Sequence, residues 1–168
     1  MGLFSAFRPR TKDSLIAAVV RRDVKSARDL LSHGGSASAK DSDGAPALLI
    51  AGSNSDIGMI ELLIKHGADI NAVQENWTIL MHLTLNHRAN AVEALLMAGA
   101  KPNLSDHLGT TPLMVAALEG ADDIALSLIQ FGADVTARDN SGKTALRNAQ
   151  MTGSPTMKRL LQQAGAED

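Results

Sequence analysis

The sequence predicts an all-α solenoid of five stacked helix–turn–helix units. Three observations predict it. Glycines recur at positions 34, 67, 99, 132 and 165, with steps of 33, 32, 33 and 33 residues. Leucines at positions 15, 48, 80, 113 and 146 open an apolar run in each unit and keep a matching step. Fixed periods of this size are the signature of repeat architectures, in which each unit buries its apolar face only against its neighbours. Finally, 45% of the 168 residues are hydrophobic but only 2% are aromatic, which suits a stack of short helices packed through Ala, Leu and Ile.

The units fall at about 11–40, 41–73, 74–105, 106–138 and 139–168, preceded by a tail at 1–10. In the first, Asp13 or Ser14 is expected to cap a helix carrying Leu15, Ile16, Ala18 and Val19. Arg21-Arg22-Asp23 turns the chain, and Ala27, Leu30 and Leu31 form the second stripe before Gly34-Gly35. The second, third, fourth and fifth units open with Gly44, Asn76, Gly109 and Gly142 in turn-forming contexts such as Asp41-Ser42-Asp43-Gly44. Asn76 is the best non-glycine substitute for the positive φ of such a tip. The segment from Gly67 to Asn76 is one residue shorter than its counterparts. The turn between the two helices is Arg22, Ser55, His87, Gly120 and Gly153 in successive units. In the fifth unit two apolar series turn polar: Ala27, Ile60, Val92, Ala125 becomes Lys158, and Leu31, Ile64, Leu96, Ile129 becomes Gln162. Solenoids need polar end caps, so the chain is expected to be a complete five-repeat protein that acts by binding alone.

The stretch Gly109-Thr110-Thr111-Pro112-Leu113, followed by Ala116-Ala117 and closed by Gly132-Ala133-Asp134, resembles the ankyrin repeat. The resemblance covers the chain from about residue 11 onward. It implies a short β-hairpin finger between units and a concave side, made of finger tips and first-helix surfaces, that binds proteins. The family's Thr-Pro-Leu-His stands here as PALL at 46–49, TILM at 78–81, TPLM at 111–114 and TALR at 144–147. The missing histidine predicts that ties between neighbouring repeats are weaker or replaced, at about 0.5–1.5 kcal/mol per hydrogen bond.

Several function classes are excluded or disfavoured. The chain has no Cys, so disulfides, thiol catalysis and Cys-based zinc sites are absent. Net charge is −2 and no Lys/Arg stripe forms, so nucleic acid is not the expected partner. No run is long enough for a membrane span. Leu3–Phe7 is too short for a secretory signal, and Ala6 stands where a myristoylation motif wants Ser or Thr. Leu3, Phe4 and Phe7 are instead expected to fold over the first repeat of a cytoplasmic protein. Phosphate loops, zinc-protease motifs and nucleophile elbows are not found, so no enzyme and no cofactor is expected. Asp122-Asp123 reads as favourable charge at a helix start, and His33 and His66 as exposed residues rather than a metal pair. His82 and His87 read as surface and turn residues. Enzyme chemistry would have to be built on His107 with Glu75 or Asp106.

The family's variable positions carry over by register. They nominate Asp43 in the second unit, and Glu75, Trp77, Leu85 and Asn86 in the third. The fourth supplies His107, Leu108, Thr110, Leu118 and Glu119, and the fifth Asn140, Lys143 and Met151. Trp77, Leu85, Leu108, Leu118 and Met151 are expected to form one apolar strip, which Phe131 extends. Trp77 could equally pack across its own hairpin, and Leu85 and Leu118 could be stack packing. Acidic finger residues (Asp41, Asp43, Glu75, Asp106, Asp139) favour a partner with basic surface. The expected function is a monomeric, non-enzymatic adaptor or scaffold for a protein partner. The alternative is a stoichiometric inhibitor, such as an immunity protein, that blocks an enzyme.

Overall fold

The computed structural model describes residues 11–167. The expected packing of Leu3, Phe4 and Phe7 lies outside the described residues. Ten helices come in five pairs: α1 (Thr11–Val20) with α2 (Val24–Ser32), α3 (Ala47–Ser53) with α4 (Ile57–Lys65), α5 (Ile79–Leu85) with α6 (Ala89–Met97), α7 (Pro112–Glu119) with α8 (Asp122–Gln130), and α9 (Ala145–Thr152) with α10 (Pro155–Gln163). First helices pack on first helices and second helices on second helices, so α1-α3-α5-α7-α9 and α2-α4-α6-α8-α10 form two parallel rows. α1 begins at Thr11. Asp13 and Ser14 therefore sit in its first turn rather than capping it, which corrects the sequence-based start.

Each helix is short because its ends are defined. Second helices end on the closing glycines, whose φ values run from 86° to 98°. There the amide three residues past the helix reaches back five positions. Ala68 N–H donates to Leu63 O at 3.0 Å, and Ala100, Ala133 and Ala166 repeat the bond at 2.9 Å. This is the Schellman closure, which satisfies carbonyls that a helix end otherwise leaves open. First helices start on Thr78, Thr111 and Thr144, buried hydroxyls that accept from the amides of Met81, Met114 and Arg147 at 3.2, 3.3 and 3.1 Å. Pro46 occupies that place in the second unit and caps nothing through its side chain.

The turn between paired helices is left-handed in all five units. φ is 57° at Arg22, 53° at Ser55, 54° at His87, 67° at Gly120 and 72° at Gly153. Side-chain residues pay about 1 kcal/mol for that conformation. The core is one continuous layer between the rows. It is keyed by Leu15, Leu48, Leu80, Leu113 and Leu146, all buried. Lys158 and Gln162, by contrast, are exposed where Ala27, Val92 and Leu96 are buried in earlier units.

The fingers are smaller than expected. Regular strands form only in the third unit among the described residues: β1 (Val73–Gln74) pairs antiparallel with β2 (Trp77–Thr78). Its tip, Glu75-Asn76, has φ of 50° and 70°, the two-residue geometry that suits a twisted hairpin. The one-residue deletion creates this tight turn. In the other units three residues intervene. Asp41 N–H donates to Ala45 O at 3.0 Å, Asp106 N–H to Thr110 O at 3.0 Å, and Asp139 N–H to Lys143 O at 2.9 Å.

Two stability outcomes follow. Leu113→Ala, in the middle of the stack, is expected to lower unfolding free energy by about 2–5 kcal/mol in urea titration. His87→Gly is expected to raise it by up to about 1 kcal/mol, because glycine adopts the left-handed turn without the Cβ penalty.

Candidate protein-binding surface

Toward its end the first-helix row has one register position that is exposed in four units, at Val20, Leu85, Leu118 and Met151, and half-buried in the second, at Ser53. Each is the last residue of its helix or the one just before its end, next to the left-handed turn. Four of the five are apolar, and their exposures are 58% for Val20, 39% for Leu85, 51% for Leu118 and 62% for Met151. Leu85, Leu118 and Met151 were expected. Val20 was missed, although its place 33 residues before Ser53 would have found it.

Adjacent helices are tied at this level. Thr152 Oγ1, beside Met151, approaches Ala117 O, beside Leu118, at 3.5 Å. One turn earlier Asn148 Nδ2 donates to Met114 O at 3.1 Å. Between α3 and α5 the approach is closer: a Cβ on Gly52 would lie 2.7 Å from Leu83 Cδ1. Leu118 and Met151 therefore stand side by side on a rigid row.

The fingers hold the other nominated residues. Trp77 is half-buried, paired with Gln74 across the hairpin, and its ring lies 5.8 Å from that of His82. His82 was read as a surface residue. It is half-buried, and its Nε2 sits 3.0 Å from Gln74 O, so it braces the third finger against α5. His87 is the turn residue expected. Leu108 is exposed at the fourth finger tip, with His107 exposed beside it and Thr110 half-buried. Asn140 is engaged structurally: its amide donates to His107 O at 3.0 Å and its backbone N–H to Leu108 O at 2.9 Å. Gly109 is required at that contact, since a Cβ would meet Asn140 N at 3.0 Å. Asp43, Glu75, Asn86, Glu119 and Lys143 are exposed. Phe131 is exposed at the end of α8, in the second-helix row, and so does not extend the strip.

Three finger aspartates have a local task the sequence reading did not assign. Asp41 Oδ1 accepts from Asp43 and Ala45 amides at 3.0 and 2.8 Å. Asp106 Oδ1 accepts from Leu108 and Thr110 at 2.9 and 2.8 Å, and Asp139 Oδ1 from Ser141 and Lys143 at 2.8 and 2.9 Å. These bonds build the tips. The Ser141 hydroxyl and these amides hold Asp139 below the usual carboxylate range. The Thr136 hydroxyl does the same for Asp134.

The ties that replace the family's histidine are asparagines. Asn71 Oδ1 accepts from Lys101 N–H at 2.9 Å. Asn103 Oδ1 accepts from Asp134 N–H at 2.8 Å, and its amide donates to Gly132 O at 2.9 Å. Asn71 and Asn103 share one register position, a signal the sequence carried but the motif comparison passed over. No group of three or more His, Cys, Asp and Glu side chains fit to hold a metal exists among the described residues. Among them, too, no helix is long and apolar enough to cross a membrane.

Two helical rows with an ordered, partly apolar side define a repeat solenoid built for macromolecular contact. The chain belongs to the ankyrin repeat family: the family's model of three ankyrin repeats matches residues 15–106 and 85–168. Rabankyrin-5 of Homo sapiens is 33% identical over 147 residues, 79% of this chain and 13% of that protein. Ankyrin repeat and SOCS box protein 16 of Homo sapiens is 33% identical over 150 residues, 87% of this chain and 33% of that protein. Potassium channel KOR2 of Oryza sativa subsp. japonica is 38% identical over 77 residues, 46% of this chain and 11% of that protein. The chain thus spans a third or less of the length of these relatives. What the three share with it is repeat. Ankyrin repeats generally mediate protein–protein interaction.

The lowered aspartates give a pH outcome. Their folded pKa lies below the unfolded value of about 3.9, so their stabilisation is present above that pH and is lost as pH falls through the folded value. The urea midpoint is expected to fall below about pH 4, and to fall less steeply in Asp134→Asn/Asp139→Asn, where the amide oxygen still accepts the tip hydrogen bonds. An unchanged pH slope in that variant would assign the acid sensitivity to other groups.

Proposed function

We propose that the chain is a protein-binding module that holds a partner against the first-helix row and the finger tips, and acts as an adaptor rather than an enzyme. The carrying observation is the apolar register row Val20, Leu85, Leu118 and Met151. Exposed apolar residues scattered singly need no explanation, but four of five at one register, three of them in successive units, are the kind of exposed apolar patch that marks an interaction surface. Family membership supports the same reading. Among the described residues the cavities on this side, such as the one lined by Val20, Lys40 and Asp41, are open rather than enclosed. We further read the chain as a monomer acting in the cytoplasm.

The test is retention of a partner from extract of the source cell. Wild type is compared with Leu118→Ser/Met151→Ser and with Trp77→Ala, each checked for folding by circular dichroism. The expected result is one protein retained by wild type and depleted at least about tenfold by the double variant, since losing two apolar contacts removes more than about 1.4 kcal/mol. Trp77→Ala is expected to weaken retention with the fold intact. Equal retention by all three would move the site off this row. Assaying the retained protein at a one-to-one ratio separates adaptor from inhibitor, because only an inhibitor abolishes the partner's activity.

A further inference from the structure

The charge of the middle units is more one-sided than the net charge suggests. Residues 41–137 carry three Lys/Arg against twelve Asp/Glu, whereas residues 1–40 carry eight against three and residues 138–168 five against three. The three cations of the middle stretch are Lys65, Arg88 and Lys101. None lies on a first helix or a finger tip. The fingers and first helices of the three middle units present Asp41, Asp43, Glu75, Asp106 and Glu119 against a single cation, Lys40, which bridges to Pro46 at the base of the second finger. At the ends the sign reverses: exposed Arg21 follows Val20, and exposed Arg147 precedes Met151 by one turn.

Geometry selects the shape of the occupant. Neighbouring helices in a stack lie about 8–10 Å apart, so the apolar row repeats at that interval. An α-helix laid along it rises about 10.5 Å in seven residues, two turns, and returns a side chain to the same face. A strand added to a sheet edge needs an exposed edge, and the described residues hold only a two-residue hairpin. A polyproline helix docks on aromatic-lined grooves, and here the row is Val, Leu, Leu and Met. Aliphatic side chains at helix-compatible spacing are what a helix-in-groove partner uses.

Resting on the adaptor reading, we infer that the partner element is an amphipathic α-helix. An apolar residue faces the row about every seventh position, Lys or Arg flanks it over the middle units, and acidic residues are accepted at either end. Ser53 interrupts the apolar row in the second unit, so a polar residue stands opposite it and fixes the direction of the helix.

The experiment is selection of a displayed library of random peptides about 28 residues long, the length of helix that covers the row. Synthetic winners are then titrated by fluorescence anisotropy. The proteins are wild type, Leu118→Ser/Met151→Ser, and Asp43→Asn/Glu75→Gln/Glu119→Gln. The inference expects winners that become helical on binding, repeat apolar residues at helical spacing, and are enriched in Lys and Arg. It expects at least about tenfold weaker binding to the apolar double variant, and a flatter salt dependence with the charge-neutralised triple variant. Winners that need Leu118 and Met151 but are extended or acidic overturn the helix inference and leave the adaptor reading standing. Winners indifferent to both variants, or no winners, overturn both.

Discussion

Every other feature of this structure depends on stacking, because no unit can bury its own apolar face. A pair of helices of about nine residues is too short to hold itself in water. Its leucine, whether Leu48, Leu80 or Leu113, is covered only when the neighbouring pair is in place. That dependence makes the helix ends as important as the core. A helix one residue too long would drive its neighbour out of register. The Schellman closures, the threonine caps and the left-handed turns are therefore placed at the same step throughout. The chain tolerates Arg22, Ser55 and His87 in a conformation that favours glycine because the stack over-determines those turns.

Much of this was legible in the sequence because stacking writes its demands at a fixed interval. The closing glycines, the leucine series and the polar turn of Lys158 and Gln162 each repeat, or break, at one position. The finger details were less legible because they depend on small differences in loop length. The missing residue before Asn76 was visible, but its consequence was not: a two-residue turn with Glu75 also left-handed, and the one regular hairpin among the described residues. The aspartates illustrate the same limit. Asp41, Asp106 and Asp139 were read for their charge. Each also accepts two backbone amides at its own tip, which only the loop geometry reveals.

The nominated surface was legible in part for a related reason. Burial is largely dictated by the repeat, so a position that is open in one unit tends to be open in its counterparts, with Ser53 half-buried in the second. Leu85, Leu118 and Met151 were found by register, and Val20 by the same rule once the structure showed the first unit's helix ending there. Phe131 was misplaced because register along the second helix does not say which row a side chain faces. Asn140 was nominated for partner contact, and its amide also secures the adjoining finger. Asn71 and Asn103 were overlooked because the search for ties followed the family's histidine rather than any amide able to bridge neighbouring loops.

The same separation explains why this row can carry function without cost to the fold. Residues facing the core answer to their neighbours in the stack, and a change there propagates through both adjoining units. The position of Val20, Leu85, Leu118 and Met151 answers less to the interior, because it lies at the end of the first helix and is 39–62% exposed. Nothing in the stacking would penalise a lysine there, as the charged residues Arg21 and Glu119 at the next position show. Apolar side chains at four of five such places are therefore not required by folding, and each exposes surface that water solvates poorly. The fold supplies the spacing and the rigidity. The choice of side chain at that one register is constrained less by the fold than that at any core position.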